Sequence, residues 1–140
     1  MYIDLPSALS YLVDSLELAW SSHTDLTING KQHRLSSQIE ENILRIAQEV
    51  LQNAIPHGKA HQMHVELGYN EKIVILKIQD DGNGFELARD RRTGNLGITI
   101  MLERSAEIGA RFNIRSEPGK GARVTFEVPI PEATLVAVSQ

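Results

Sequence analysis

Gln79-Asp80-Asp81-Gly82-Asn83-Gly84-Phe85-Glu86 lies near the middle of a 140-residue chain and continues the apolar-rich run 71–79, EKIVILKIQ, from its last residue. Asp, Asn and two Gly accept the positive φ angles of a tight turn, so a plain hairpin is the simplest reading. A hairpin needs a second strand. The residues that follow, FELARDRRTGN, are charged and lack period-2 alternation, so the chain leaves the sheet here instead of folding straight back into it. The segment therefore reads as a loop that carries chemistry.

Working outward, HQMHVELGY (61–69) and KIVILKIQD (72–80) alternate around Gly68 to Glu71 and predict a hairpin ending at the Asp80 segment. Upstream, Ile39, Ile43, Ile46, Ala47, Val50, Leu51 and Ala54 recur at helical spacing from Ser36, and Pro56 and Gly58 should end that helix. A first helix is predicted from Pro6 to about Trp20, with Leu9, Leu12, Val13, Leu16 and Ala19 on one face. TDLTING (24–30) reads as a strand and turn between these two helices. Downstream, a helix from Gly97 to about Ile108 is closed by Gly109, and ARFNIRSE and ARVTFEVP are two further strands. The sum is an α/β two-layer sandwich, a mixed sheet of about five strands covered on one face by three helices. Residues 1–131 form one domain in this reading, and 132–140 a flexible tail.

Composition limits the function classes. Apolar residues make up 41% and charged residues 23% of the chain, as in an ordinary globular domain. A net charge of −4 argues against general affinity for nucleic acid or an anionic membrane. There is no cysteine, which excludes disulfides and thiolate metal sites. No apolar run approaches the roughly 20 residues of a membrane span, and MYIDLPSAL lacks the order of a secretory signal, so a cytoplasmic address is expected.

On the second predicted helix, Glu49, Asn53 and His57 fall in one line beside the apolar stripe. That line is either a solvated face or a site. Three glycine-bearing turns, DDGNG, TGNLG and EPGKG, expose backbone N–H groups that could face an anion. Common nucleotide and metal loops do not account for them. No segment has the two glycines, Lys and Ser or Thr of a P-loop. A dinucleotide fingerprint would need glycine where Leu87 stands, and a calcium loop from Asp81 meets Glu86 and Arg92 where it needs Gly and an acid.

Glu49-Val-Leu-Gln-Asn53, Asp80-Asp-Gly82-Asn-Gly84, Asn95-Leu-Gly97-Ile-Thr-Ile-Met-Leu-Glu103-Arg104 and Glu117-Pro-Gly119-Lys-Gly121 resemble, in order and spacing, the asparagine box and three glycine boxes of the GHKL ATPase superfamily. The likeness is strongest to the catalytic and ATP-binding domain of sensor histidine kinases of the nitrate-sensor and degradation-sensor type. It covers the chain from LPSAL to VTFEVP. The resemblance implies the Bergerat fold, with ATP held between the helices and a lid. It implies that Asp80 accepts a hydrogen bond from the adenine amino group, which suits an ionised carboxylate because it only accepts and so repels the carbonyl oxygen of guanine. Gly82 and Gly84 would let the backbone approach the base. Asn53 would ligate Mg²⁺ through its amide oxygen, and Glu49 would be the acid that polarises the attacking group. Gly97 would open a helix whose first turn receives phosphate, with Gly119 and Gly121 forming the last nucleotide-binding turn. Arg91 and Arg92 would meet phosphate from the lid, and the same pair reads equally as a solvated basic loop. His57 matches a histidine of the subfamily, and reads equally as a helix-terminal residue bonding free carbonyls.

This chain departs from the pattern at Pro56 and Gly58, where relatives continue the helix, at Ala122 for a common Thr, and at Leu102 for a common Arg. No phosphoacceptor histidine is legible on a helix, so the resemblance implies a monomeric ATP-binding half that acts on a separate dimerisation and phosphoacceptor domain, which then hands the phosphate to a response regulator. The domain would be cytoplasmic, free or as the cytoplasmic part of a membrane-bound sensor. Two alternatives stay open: a GHKL serine kinase of the anti-sigma-factor kind, and a nucleotide-binding module without transfer activity.

Overall fold

The computed structural model describes residues 3–20, 22–54, 62–82, 96–116 and 121–131. Three helices and five strands follow in the order α1 (Leu5–Trp20), β1 (His23–Asn29), α2 (Ser37–Ala54), β2 (Gln62–Tyr69), β3 (Ile73–Asp80), α3 (Leu96–Glu107), β4 (Arg111–Ser116) and β5 (Ala122–Pro129). The strands form one sheet in the order β1-β2-β3-β5-β4. β1 and β2 are parallel, joined by the crossover through α2, and the other three pairings are antiparallel. The expected mixed sheet under three helices is the observed architecture.

Strand alternation makes one face of the sheet apolar. Met63, Val65 and Leu67 of β2, Val74, Leu76 and Ile78 of β3, and Val124, Phe126 and Val128 of β5 are buried there. The helices supply the matching layer, with Leu5, Leu9, Val13 and Leu16 of α1 and Ile39, Ile43, Ile46, Ala47, Val50 and Leu51 of α2. Phe126 is wholly buried and meets Phe112 edge-to-face at 6.3 Å. Removing a side chain of that size from water contributes about 1.5–3 kcal/mol. The opposite face presents Lys77, Gln79, Arg115 and Arg123, all exposed.

The helix ends are chemically specified. Asp4 accepts the N–H of Ser7 at 2.9 Å and starts α1 at Leu5, one residue before the Pro6 boundary that the sequence predicts. Ser36 caps α2 by accepting the N–H of Ile39 at 3.2 Å, while Glu40 reaches back to the N–H of Leu35 at 3.3 Å. α3 closes on Gly109 at φ 65°, with Gly109 and Ala110 donating to the carbonyls of Ala106 and Ser105, a Schellman cap. The β2–β3 turn lies at 70–72, later than the expected Gly68–Glu71. Asn70 accepts the N–H groups of both Lys72 and Ile73 through its side chain, so an Asx turn sets the reversal and Gly68 stays in the strand.

The topology brings particular ends together. α2 returns the chain between two parallel strands, so it runs against β2 and with β3, and its Ala54 end lies toward Asp80 at the end of β3. β5 runs against β3 and begins opposite Asp80, at Ala122. α3 ends just before β4, whose first residue Arg111 pairs with Glu127 near the end of β5, on the far side of the sheet. That leaves the first turn of α3, with Gly97, on the Asp80 side. The expected tail at 132–140 lies outside the described residues.

Candidate nucleotide site

Asp80 is the last residue of β3, with Met63 of β2 on one side in register and Ala122 of β5 on the other. Strand alternation places it on the same face as Val74, Leu76 and Ile78, so its carboxylate enters the helical layer at the edge of the core, half-buried. The N–H of the buried Gly82 donates to Asp80 Oδ1 at 2.8 Å, turning the chain away from the strand. Burial pushes the Asp80 carboxyl up from its ordinary value, and neighbouring Asp81 pushes the same way; the N–H groups of Gly82 and Ala122, which donate to it, pull it down. A carboxylate held partly out of water on backbone donors is a fixed acceptor aimed into the interlayer space.

Asp81 does something else. It accepts the N–H of Gln62 at 2.9 Å through Oδ1, and its own N–H donates to the Gln62 carbonyl at 3.2 Å, which extends the β2–β3 ladder on the exposed side. The two adjacent aspartates thus split into an inward-facing acceptor and a strand clamp.

Gly121 explains why the last glycine turn needs a glycine at its end. It has φ 78°, and a Cβ there would press into the Asp80 carbonyl oxygen and lie 3.1 Å from its carbon and 3.3 Å from Asp81 Cα. The backbone of β5 can approach the Asp80 corner only without a side chain. Gly121→Ala is therefore expected to cost about 1–3 kcal/mol of stability from the left-handed conformation alone, with the clash added, and to displace Asp80. Chemical denaturation and nucleotide titration of the same preparation check it: a variant with unchanged midpoint and unchanged affinity contradicts this role.

α2 packs over β3 and β5, so Glu49, half-buried in its penultimate turns, belongs to the helix lying above the Asp80 corner. Asn53 is in the last turn of the same helix, where only its backbone is described. Gly97 is in the first turn of α3. The structure thus assembles Glu49, Asp80, Gly82 and Gly121 on helices, strands and turns that meet at one end of the sheet, with the backbones of Asn53 and Gly97 on the same two helices. His57, Gly84, Arg91, Arg92 and Gly119 lie outside the described residues, as do Pro56 and Gly58. Ala122, which has no hydroxyl to offer, still contributes its backbone N–H to Asp80.

One contact escapes the sequence reading. Asn42, 3% exposed on α2, accepts a hydrogen bond from Arg104 Nη1 of α3 at 2.8 Å. Its signal was an amide inside the apolar stripe, between Ile39 and Ile46, where a polar side chain needs a partner.

Residues 38–132 match the family model described as histidine kinase-, DNA gyrase B-, and HSP90-like ATPase. Sensor protein VraS of Staphylococcus saprophyticus is 35% identical over 100 residues, 71% of this chain and 28% of its own length. The oxygen sensor histidine kinase NreB of Staphylococcus carnosus is 30% identical over 130 residues, 93% of this chain and 38% of its own. The chain therefore spans well under half the length of these relatives. The histidine kinase domain of a blue-light activated histidine kinase from Erythrobacter litoralis superposes with a TM-score of 0.72 over 91% of this chain and 66% of that one, at 21% identity, a likeness of fold. The matched span takes in α2, the Asp80 corner, α3 and β5, and the chain belongs to the histidine kinase-, DNA gyrase B-, and HSP90-like ATPase family.

Proposed function

We propose that this chain is the ATP-binding catalytic domain of a sensor histidine kinase, which transfers the γ-phosphate of ATP to a histidine on a separate dimerisation domain, from which a response regulator takes it. The observation that supports this most is the Asp80 corner: a half-buried carboxylate on the inner face of the sheet, held on the N–H of Gly82 and reached by β5 only because residue 121 is glycine. Such an acceptor suits the amino group of adenine. The relatives named as sensor proteins and histidine kinases supply the rest of the reading.

In this reading Asp80 fixes the base, and the first turn of α3 at Gly97 receives phosphate through its free amides and its dipole. By the family resemblance, Arg91, Arg92, His57, Gly84 and Gly119 would join the nucleotide-binding set. A neutral imidazole nitrogen of the acceptor attacks the γ-phosphorus, an N–P bond forms as the P–O bond to the ADP leaving group breaks, and Glu49 takes the proton that the imidazole gives up. Transfer of this kind depends mainly on positioning and charge stabilisation.

Mg²⁺ fits the donor chemistry present. Among the described residues there is no group of three or more His, Cys, Asp or Glu that could cage a metal. Magnesium held by one or two protein oxygens plus phosphates needs no cage, and Asn53 would hold it there through its amide oxygen. When bound, the ion neutralises charge on the phosphates. Asn53→Ala is expected to abolish most of the magnesium dependence of ATP binding and to leave adenosine binding within about twofold, since adenosine has no phosphates. Calorimetric titration with and without magnesium checks it; a mutant that keeps the full magnesium effect removes Asn53 from the site. No helix among the described residues is long and apolar enough to cross a membrane.

A further inference from the structure

Asn42 and Arg104 are 62 positions apart in sequence and join α2 and α3, the helices that carry Glu49 and Gly97. Asn42 is almost wholly buried and lies in the apolar stripe of α2, while Arg104, half-buried in the last turn of α3, donates to it through a charged guanidinium. A charge-assisted bond with one partner buried is short, directional and costly to leave half-made. Its position is also specific. Glu49 follows Asn42 by seven residues on α2, and Gly97 precedes Arg104 by seven residues on α3. Seven residues are two helical turns, about 10 Å of rise. The topology points both stretches toward the Asp80 end of the sheet, so the bond stands at a common distance behind the two functional ends.

We propose that the Asn42–Arg104 hydrogen bond is a positioning contact that sets the separation between the phosphate-receiving first turn of α3 and the Glu49–Asn53 line of α2. The proposal rests on the nucleotide reading above and names the residues that hold its two halves in register. Neither residue touches nucleotide in this account. Helices are stiff over two turns, so a hinge at the bond becomes a displacement at the site. Packing alone would let α3 slide along α2, because apolar contacts are not directional. The hydrogen bond fixes one register. Phosphate binding requires the first turn of α3 and the magnesium-binding oxygens to meet the same group, and misplacement by an ångström is enough to lose rate and affinity. The base corner is held by β3 and β5, independently of α3, so adenosine should not notice the change.

The test compares the wild-type chain with Asn42→Ala, Asn42→Asp and Arg104→Gln by calorimetric titration of MgATP and adenosine, and by amide hydrogen exchange without nucleotide. Asn42→Ala and Arg104→Gln are expected to lower MgATP affinity about tenfold with adenosine within about twofold, and to speed exchange in the first turn of α3, two turns away from either substitution. Asn42→Asp keeps an acceptor for Arg104 and is expected to restore MgATP affinity to within about threefold of wild type. The double variant Asn42→Ala/Arg104→Gln should be no worse than the weaker single one, as for two halves of one contact. If MgATP and adenosine affinities fall together, or neither changes while only the melting temperature drops, the bond merely packs the helices and the proposal is wrong. If the wild-type chain binds neither ligand, the nucleotide reading fails and this proposal with it; wild-type binding with unchanged exchange in α3 of the variants overturns the proposal alone.

Discussion

Replacing Asp80 by alanine is expected to weaken ATP and ADP binding together by about 1 to 3 kcal/mol, roughly 5- to 150-fold in Kd, the loss that follows when a buried donor is left without its acceptor. Both nucleotides should suffer alike, because the proposed role of the residue is at the base and not at the phosphates. The same carboxylate gives binding a pH dependence whose sign follows from its surroundings. Burial first, then Asp81, raises the carboxyl above its ordinary value despite the N–H groups of Gly82 and Ala122. As pH falls, Asp80 therefore takes up a proton earlier than an exposed aspartate does, and adenine affinity should be lost above the ordinary carboxylate value of about 3.9. The stability of the nucleotide-free domain moves the other way. A raised folded-state value means that the fold opposes the ionised form, so the contribution of this residue improves as pH falls through it. Titration of ATP over a pH series, with melting temperatures of the free domain at each pH, tests both signs. Unchanged ATP affinity in Asp80→Ala at neutral pH would take the residue out of the site.

The second large effect concerns transfer. On the proposed reading the domain binds ATP and acts on an acceptor outside it, so alone it should hold the nucleotide almost inert, with no water placed in line with the γ-phosphate. Incubated alone with labelled ATP, the chain is expected to stay unlabelled; mixed with the dimerisation and phosphoacceptor domain of the sensor kinase proposed above, it should label a histidine there, giving an acid-labile and base-stable phosphate. Glu49→Ala should slow this transfer by about 10²-fold or more while ATP affinity changes little, as for a residue that moves a proton. Asn53→Ala should be slower still, since it removes the proposed magnesium ligand as well. Label on the chain's own histidines at a comparable rate contradicts the division between acceptor and catalytic domain. Label on serine of a partner points to the anti-sigma-factor kind of kinase, and binding without any transfer points to a nucleotide-binding module.

Much of this was legible in the sequence because burial is periodic. The stripe from Ile39 to Leu51 and the alternation in 62–69, 73–80 and 122–129 correspond to the buried residues of α2, β2, β3 and β5. Gly109 marked the end of α3 because a Schellman cap needs a left-handed residue at that position. What depended on contacts distant in the chain was not legible. The hairpin was expected at Gly68–Glu71, yet the side chain of Asn70 outweighs the glycine by holding two N–H groups at once. Nothing local says that Asp81 clamps Gln62 while Asp80 turns inward; that division depends on where β2 begins. The need for Gly121 comes from the Asp80 carbonyl 41 residues earlier, and the partner of Asn42 lies on another helix. Pairing order in the sheet is equally non-local, since β5 inserts between β3 and β4.

The most direct measurement is a side-by-side calorimetric titration of the wild-type chain with MgATP, MgADP and MgGTP. In the proposed site an ionised Asp80 pairs with the amino group of adenine and would face an oxygen in guanine, so ATP and ADP are expected to bind and GTP to bind at least about 100-fold more weakly. GTP binding as tightly as ATP, or no binding of either adenine nucleotide, would contradict a base pocket built on Asp80.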